Sequence, residues 1–221
     1  MVDLSRRYEL LVFDWDGTLA DSTALIAGAI QQACRDMGLA VPDDMAARHV
    51  IGLGHRDSIE YVAPTLDARH HPQFTARFGA HYMLGDAAIP LFAGVPDMLA
   101  ELTTRRHQLA VATGKSRRGL DRALSQHGIA HHFGVTRCAD EGFPKPHPDM
   151  LLTLMKQSAV PPERTLMIGD TTHDLQLARN AGVDALAVAY GAHSSDGLAG
   201  MSPLATVHSI VELRTWLSRH A

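Results

Sequence analysis

Five short apolar runs recur along this chain, and none of them alternates: Tyr8–Phe13, Gln108–Ala112, Phe133–Arg137, Thr165–Ile168 and Ala185–Ala189. A strand with one wet face alternates apolar and polar side chains, whereas a strand covered on both faces has no reason to. These runs therefore call for helices above and below a sheet, and helical stretches do lie between them. Pro96 sits at the start of one, before "DMLAEL". Ser116 heads "RRGLDRALSQHG", which closes on Gly128, and Thr171 or Thr172 heads "HDLQLARNAG". Strand and helix in strict succession predict an α/β fold with a doubly wound, mostly parallel, Rossmann-like sheet.

One stretch departs from this rhythm. Residues 20–87 carry helical patterning only, which predicts an all-helical cap inserted after strand one, with residues 1–19 and 88–221 forming the α/β core. The first cap helix shows its stripe at Leu25, Ile26, Ala29, Ile30, Ala33 and Met37, with Ser22 as cap and Gly38 as stop. Three more helical segments follow. Such a long insertion is tolerated because loop-closure entropy grows slowly with length.

Composition narrows the function classes. The chain has 221 residues, 46% hydrophobic, and 20 basic against 24 acidic side chains, a net charge of −4. No basic patch suggests a nucleic-acid partner. No apolar run is long enough to cross a bilayer, and the N-terminal apolar segment is too short for a signal peptide, so a cytoplasmic protein is expected. Cys34 and Cys138, the two cysteines, read as free thiols. Of the 14 histidines, His127 and His131 have helical spacing, but Gly128 breaks the face they would need. The sequence carries no signature of a particular oligomeric state.

The chemistry sits at the strand ends, where ligands bind in sheets of this kind. Strand one runs into Asp14 and Asp16. Strand two ends in Thr113, Gly114 and Lys115; the loop after strand three carries Lys145; strand four runs into Asp170 and Asp174. Four carboxylates in one pocket repel one another unless a cation joins them. An all-oxygen set with no Cys/His cluster points to Mg²⁺. Lys145, Thr113 and the Gly114 amide add the donors of a phosphate site. A carboxylate beside such a phosphate can attack it, and a second can move the proton. Strand periodicity turns Asp14 and Asp16 to one side and Trp15 to the other.

"FDWDGTLADS", "VATGKS", "KPHPD" and "GDTTHD", in that order, resemble the four motifs of the haloacid-dehalogenase-like phosphohydrolases. The helical insertion resembles the small cap of the phosphoglycolate phosphatase-like subgroup. The resemblance implies a Mg²⁺-dependent phosphatase acting on a small phosphorylated metabolite through an aspartyl-phosphate. Asp14 matches the nucleophile and Asp16 the general acid/base whose carbonyl also meets Mg²⁺. Thr113 and Gly114 match the phosphate donors, Lys145 the orienting lysine, Asp170 a direct metal ligand and Asp174 an outer one. Lys115 is expected to have a minor electrostatic role, and His147 to be a surface residue. In the cap, "IGLGHRDS" offers His55 and Arg56 as specificity residues. A β-phosphoglucomutase-like phosphomutase, a pyrophosphatase and a nucleotidase are alternatives within the fold; a phospho-receiver signalling domain is the alternative outside it, and lacks a helical cap. Asp21, where core becomes cap, has no assigned role beyond a hinge.

Overall fold

The computed structural model describes residues 7–221. Residues 1–6, with the N-terminal part of the signal-peptide reading, lie outside them. The described strands are β1 (Leu10–Phe13), β2 (Gln108–Thr113), β3 (Phe133–Cys138), β4 (Thr165–Gly169), β5 (Asp184–Val188) and β6 (Thr206–Val207). They form one sheet in the order β3-β2-β1-β4-β5-β6, with every neighbouring pair parallel. The order reverses at β1, which lies between β2 and β4, so the switch point falls at the end of β1. The five expected strands are present to within two residues at their ends. The sixth, two residues long, is too short to leave a pattern.

Strand periodicity divides the core into two layers. Leu11 and Phe13 of β1 join Leu109 and Val111 beneath α5 (Val95–Thr104), α6 (Arg117–His127) and α10 (Ile210–His220). Leu10 and Val12 join Ala110 and Met167 on the other face, beneath α7 (Asp149–Ser158) and α8 (Thr172–Ala181). All four β1 side chains are fully buried, which is why the run does not alternate. Each contributes about 1.5–3 kcal/mol through its burial.

The four expected helices of the insertion are α1 (Thr23–Asp36), α2 (Asp44–His49), α3 (His55–Val62) and α4 (His71–Gly85). They carry an apolar cluster of their own, including Ile26, Ile30, Ala47, Ile59 and Phe74. The chain leaves and re-enters the sheet through two segments that pair: Asp21 N–H donates to Pro90 O at 3.0 Å, and Phe92 N–H to Leu19 O at 3.0 Å. Asp21, itself exposed, therefore marks a neck through its backbone. The remaining helix, α9 (Ser195–Ala199), follows β5. No helix among the described residues is long and apolar enough to cross a membrane.

Candidate active site

Asp14 follows β1 directly, and its N–H is tied to Ile168 O of β4 at 2.9 Å. Asp170 follows β4, and Asp174 lies in the first turn of α8. Their carboxylate oxygens come within 4.8 Å of one another, and none of the three is more than 1% exposed. One cation answers them: Lys145 Nζ lies 2.7 Å from Asp14 Oδ1 and 2.6 Å from Asp174 Oδ1. Lys145 is itself fully buried, although its neighbours are prolines in a loop. Burial would lower the lysine's pKa, but the two carboxylates hold it raised.

One ammonium cannot satisfy three buried carboxylates. Lys145 is the ion-pair partner of Asp14, and neither Asp14 oxygen has a well-aligned hydrogen bond. Burial, aided by Asp174 and Asp16, pushes Asp14 up to about 7 in spite of Lys145. Burial, then Asp14 and Asp174, raises Asp170. Buried polar atoms without partners are rare, so each one asks for a ligand. An all-oxygen donor set of this charge suits a hard divalent cation.

The surrounding chain fixes these acids in place. Thr18 Oγ1 donates to Asp170 Oδ1 at 2.8 Å and the Ala192 N–H to Asp170 Oδ2 at 2.7 Å. A Cβ at Gly17 or at Gly191 would collide with the Asp170 carboxylate, and Gly17 also sits at φ +82°, so neither position has room for a side chain. Asp174 closes a capping box with Thr171, whose Oγ1 donates to Oδ2 at 2.7 Å. Thr171 is thus the cap of α8, and Asp170 is left free of that duty.

Asp16 has separate partners. Lys115 Nζ reaches its two oxygens at 2.9 and 3.1 Å and also donates to Tyr82 OH of α4 at 2.8 Å. Burial works against the Lys115 charge, but Asp16 and Tyr82 raise its pKa above the ordinary value. Ser22, read from the sequence as the cap of α1, makes no such cap; its Oγ donates to Asp16 Oδ1 at 2.6 Å instead. Trp15 faces away into the core, 1% exposed, with its ring against His127.

Thr113 is buried at the end of β2 and accepts the Lys115 N–H at 3.1 Å. A Cβ on the neighbouring Gly114 would lie 2.8 Å from the Gly52 carbonyl, so the loop between α2 and α3 rests on the sheet rim there. A second fastening was not legible in the sequence. The His49 carbonyl, at the end of α2, accepts from His173 Nε2 at 2.6 Å and from His193 Nε2 at 3.0 Å. The Thr172 N–H donates to His193 Nδ1 at 3.1 Å, and burial lowers His193 to about 4, so its ring is neutral at pH 7. The strand–loop context after β5 was the available signal for this contact, and for the Ala192 amide.

The structure brings Asp14, Asp16, Thr113, Gly114, Lys145, Asp170 and Asp174 to one rim. His55 lines the adjoining cavity. Arg56 does not face it: its side chain is 82% exposed and pairs with Glu60 on the same helix. Arg56→Ala is therefore expected to change relative kcat/KM values between substrates by less than about twofold, since an exposed i,i+4 pair contributes little; a substrate panel measures this. His147 is exposed in its loop and accepts the Asp149 N–H.

Residues 11–188 match the family model of the haloacid dehalogenase-like hydrolases. A protein from Dickeya dadantii called "Probable phosphatase IndB" is 35% identical, over 92% of this chain and 91% of its own. Tyrosine-protein kinase PtkA of Mycobacterium tuberculosis is 32% identical over 93% of this chain and 71% of its own. A phosphoglycolate phosphatase of Vibrio vulnificus is 31% identical over 93% and 94%. Among solved structures, a hydrolase from Pseudomonas syringae superposes with a TM-score of 0.88 over 96% of this chain and 98% of its own, at 19% identity. With four strand-end motifs meeting on one rim and a family model matched across most of its length, the chain belongs to the haloacid dehalogenase-like hydrolases.

Proposed function

We propose that the protein hydrolyses a small organic phosphate monoester with Mg²⁺, through an aspartyl-phosphate, an acyl phosphate formed on Asp14. The observation that carries this reading is Asp14 itself, a buried carboxylate whose one close partner is the Lys145 ammonium 2.7 Å away. Asp14, Asp170 and the Asp16 carbonyl would hold the cation, with Asp174 outside them. When bound, Mg²⁺ neutralises the charge gathered on the phosphate oxygens.

The chain's own residues then divide the work. Lys145 orients Asp14 and screens it. Thr113 Oγ1 and the Gly114 N–H donate to the phosphate. An Asp14 oxygen attacks phosphorus, the bond from phosphorus to the ester oxygen breaks, and Asp16 gives that oxygen its proton. Asp16 next takes a proton from water, the water oxygen attacks phosphorus, and the bond to Asp14 breaks, releasing inorganic phosphate. Lys115 and Ser22 keep the Asp16 carboxyl turned to the leaving group. Residues 20–87 are proposed as the cap that shuts water out, with His55 facing the substrate. The two buried free thiols, Cys34 and Cys138, suit a reducing cytoplasm.

The test is a panel of phosphate esters: phosphoglycolate, an aryl phosphate, glucose 1-phosphate, pyrophosphate and nucleoside monophosphates. Phosphate release with Mg²⁺ is expected, falling at least about 100-fold with EDTA and returning on Mg²⁺ addition. Turnover indifferent to EDTA would sink the metal-dependent reading. Conversion of glucose 1-phosphate to glucose 6-phosphate without phosphate release would point to a mutase.

A further inference from the structure

A cavity of about 200 Å³ opens beside Asp16, Gly114 and Lys115 and extends up between the helices of the insertion. Its upper wall is apolar: Ile26 and Ile30 of α1, Ile59 and Val62 of α3, Phe74 and Phe78 of α4. An apolar cavity of roughly 150 Å³ is enough to accept benzene. The space is therefore the size of a ring or a short branched chain.

The cations of the lower wall each have an acidic partner. Lys115 is held by Asp16 and Tyr82. Arg122 pairs with Asp86 at 2.6 Å. The His55 ring lies edge-on to Phe78, 6.4 Å between centroids. Arg56, the residue whose planar fork would suit a carboxylate, points to solvent and is paired with Glu60. Against the apolar wall of Ile59, Phe74 and Phe78 a charged leaving group would give up its hydration without a polar partner in return. An apolar one loses nothing and gains burial.

We propose that the substrate is a phosphate monoester with an apolar leaving group, such as an aryl or a four- to six-carbon alkyl alcohol, seated against Ile59, Phe74 and Phe78 with its phosphate at Asp14. This rests on the phosphatase reading above, and the experiment separates the two. kcat/KM is measured with Mg²⁺ on methyl, butyl and hexyl phosphate, on naphthyl phosphate and on phosphoglycolate. Binding of methylphosphonate and hexylphosphonate, which are not hydrolysed, is measured alongside by calorimetry on the Mg²⁺-loaded protein.

Each buried methylene is worth roughly fourfold, so kcat/KM is expected to rise at least about 100-fold from methyl to hexyl phosphate, with naphthyl phosphate at least about tenfold above phosphoglycolate. Hexylphosphonate is expected to bind at least about 30-fold more tightly than methylphosphonate. Phe78→Arg, with its fold checked by circular dichroism, is expected to cut the hexyl-to-methyl ratio at least about tenfold. A flat alkyl series, or phosphoglycolate at or above hexyl phosphate, overturns the apolar subsite and leaves the phosphatase standing. If no ester is hydrolysed, the phosphatase reading fails. The phosphonates then decide the subsite alone: tight hexylphosphonate binding supports it, and equal binding of the two overturns it.

Discussion

Asp14→Asn is expected to remove ester hydrolysis, by at least about 10⁴-fold, and at the same time to raise the melting temperature of the metal-free protein. The two effects have one cause. Asp14 is buried to 1% exposure, with neither oxygen in a well-aligned hydrogen bond, beside Asp170, Asp174 and Asp16. Burial, aided by Asp174 and Asp16 and opposed by Lys145, pushes its carboxyl from the ordinary range up to about 7. The folded state thus holds a proton that the unfolded chain releases near pH 4, and stability falls as pH rises from about 4 to about 7. A shift of this size corresponds to roughly 4 kcal/mol at pH 8, as an upper bound. Asn removes that charge, so in EDTA at pH 8 the variant should melt several degrees above the parent, since about 1 kcal/mol moves Tm by 2–4 °C at this size. The advantage should fade as pH falls towards 4, where Asp14 is protonated in both states. Mg²⁺ should erase it too, by stabilising the parent through binding. Differential scanning calorimetry at pH 5 and 8, with and without Mg²⁺, reads all of this. A variant less stable than the parent at pH 8 in EDTA would show that Asp14 is not under electrostatic strain, and retained turnover would remove it as the nucleophile.

Such strain is visible in outline from the sequence and only completed by the fold. A parallel sheet delivers the C-terminal ends of its strands to one rim, so acids after β1 and β4 and a lysine after β3 had to converge. The cap helices were equally legible, because a 3.6-residue stripe and a glycine stop are local signals. Side-chain partners are not local. Ser22 looks like a helix cap by position, yet its hydroxyl goes to Asp16 because the turn at Gly17 brings that carboxylate within 2.6 Å. Lys115 finds Asp16 across 99 residues, which no window on the sequence covers, and so its role looked minor. Arg56 has the fork that suits a carboxylate, but helix phase sets which way it points, and Glu60 one turn on holds it outward. The strand β6 was lost for another reason: two residues cannot display a period.

Lys145→Met, which removes a buried charge and keeps the side chain's length, should cost the fold several kcal/mol. Among the described residues Lys145 is the one cation within 2.7 Å of both Asp14 and Asp174, and it is as deeply buried as they are. Removing one partner of a buried ion pair leaves charge with no counter-charge, which costs about 3–5 kcal/mol. Urea unfolding at pH 8 in EDTA is expected to show a loss of that order. The loss should shrink at pH 5, where Asp14 takes up a proton and needs no cation. It should also shrink when Asp14→Asn is added, because the second change deletes a charge the first has stranded; a positive coupling of roughly 1–3 kcal/mol is expected from the double-mutant cycle. Additive effects in that cycle would mean that Lys145 acts by filling space and not by balancing charge, and the account of Asp14 as a carboxylate held ready by its lysine would fail with it.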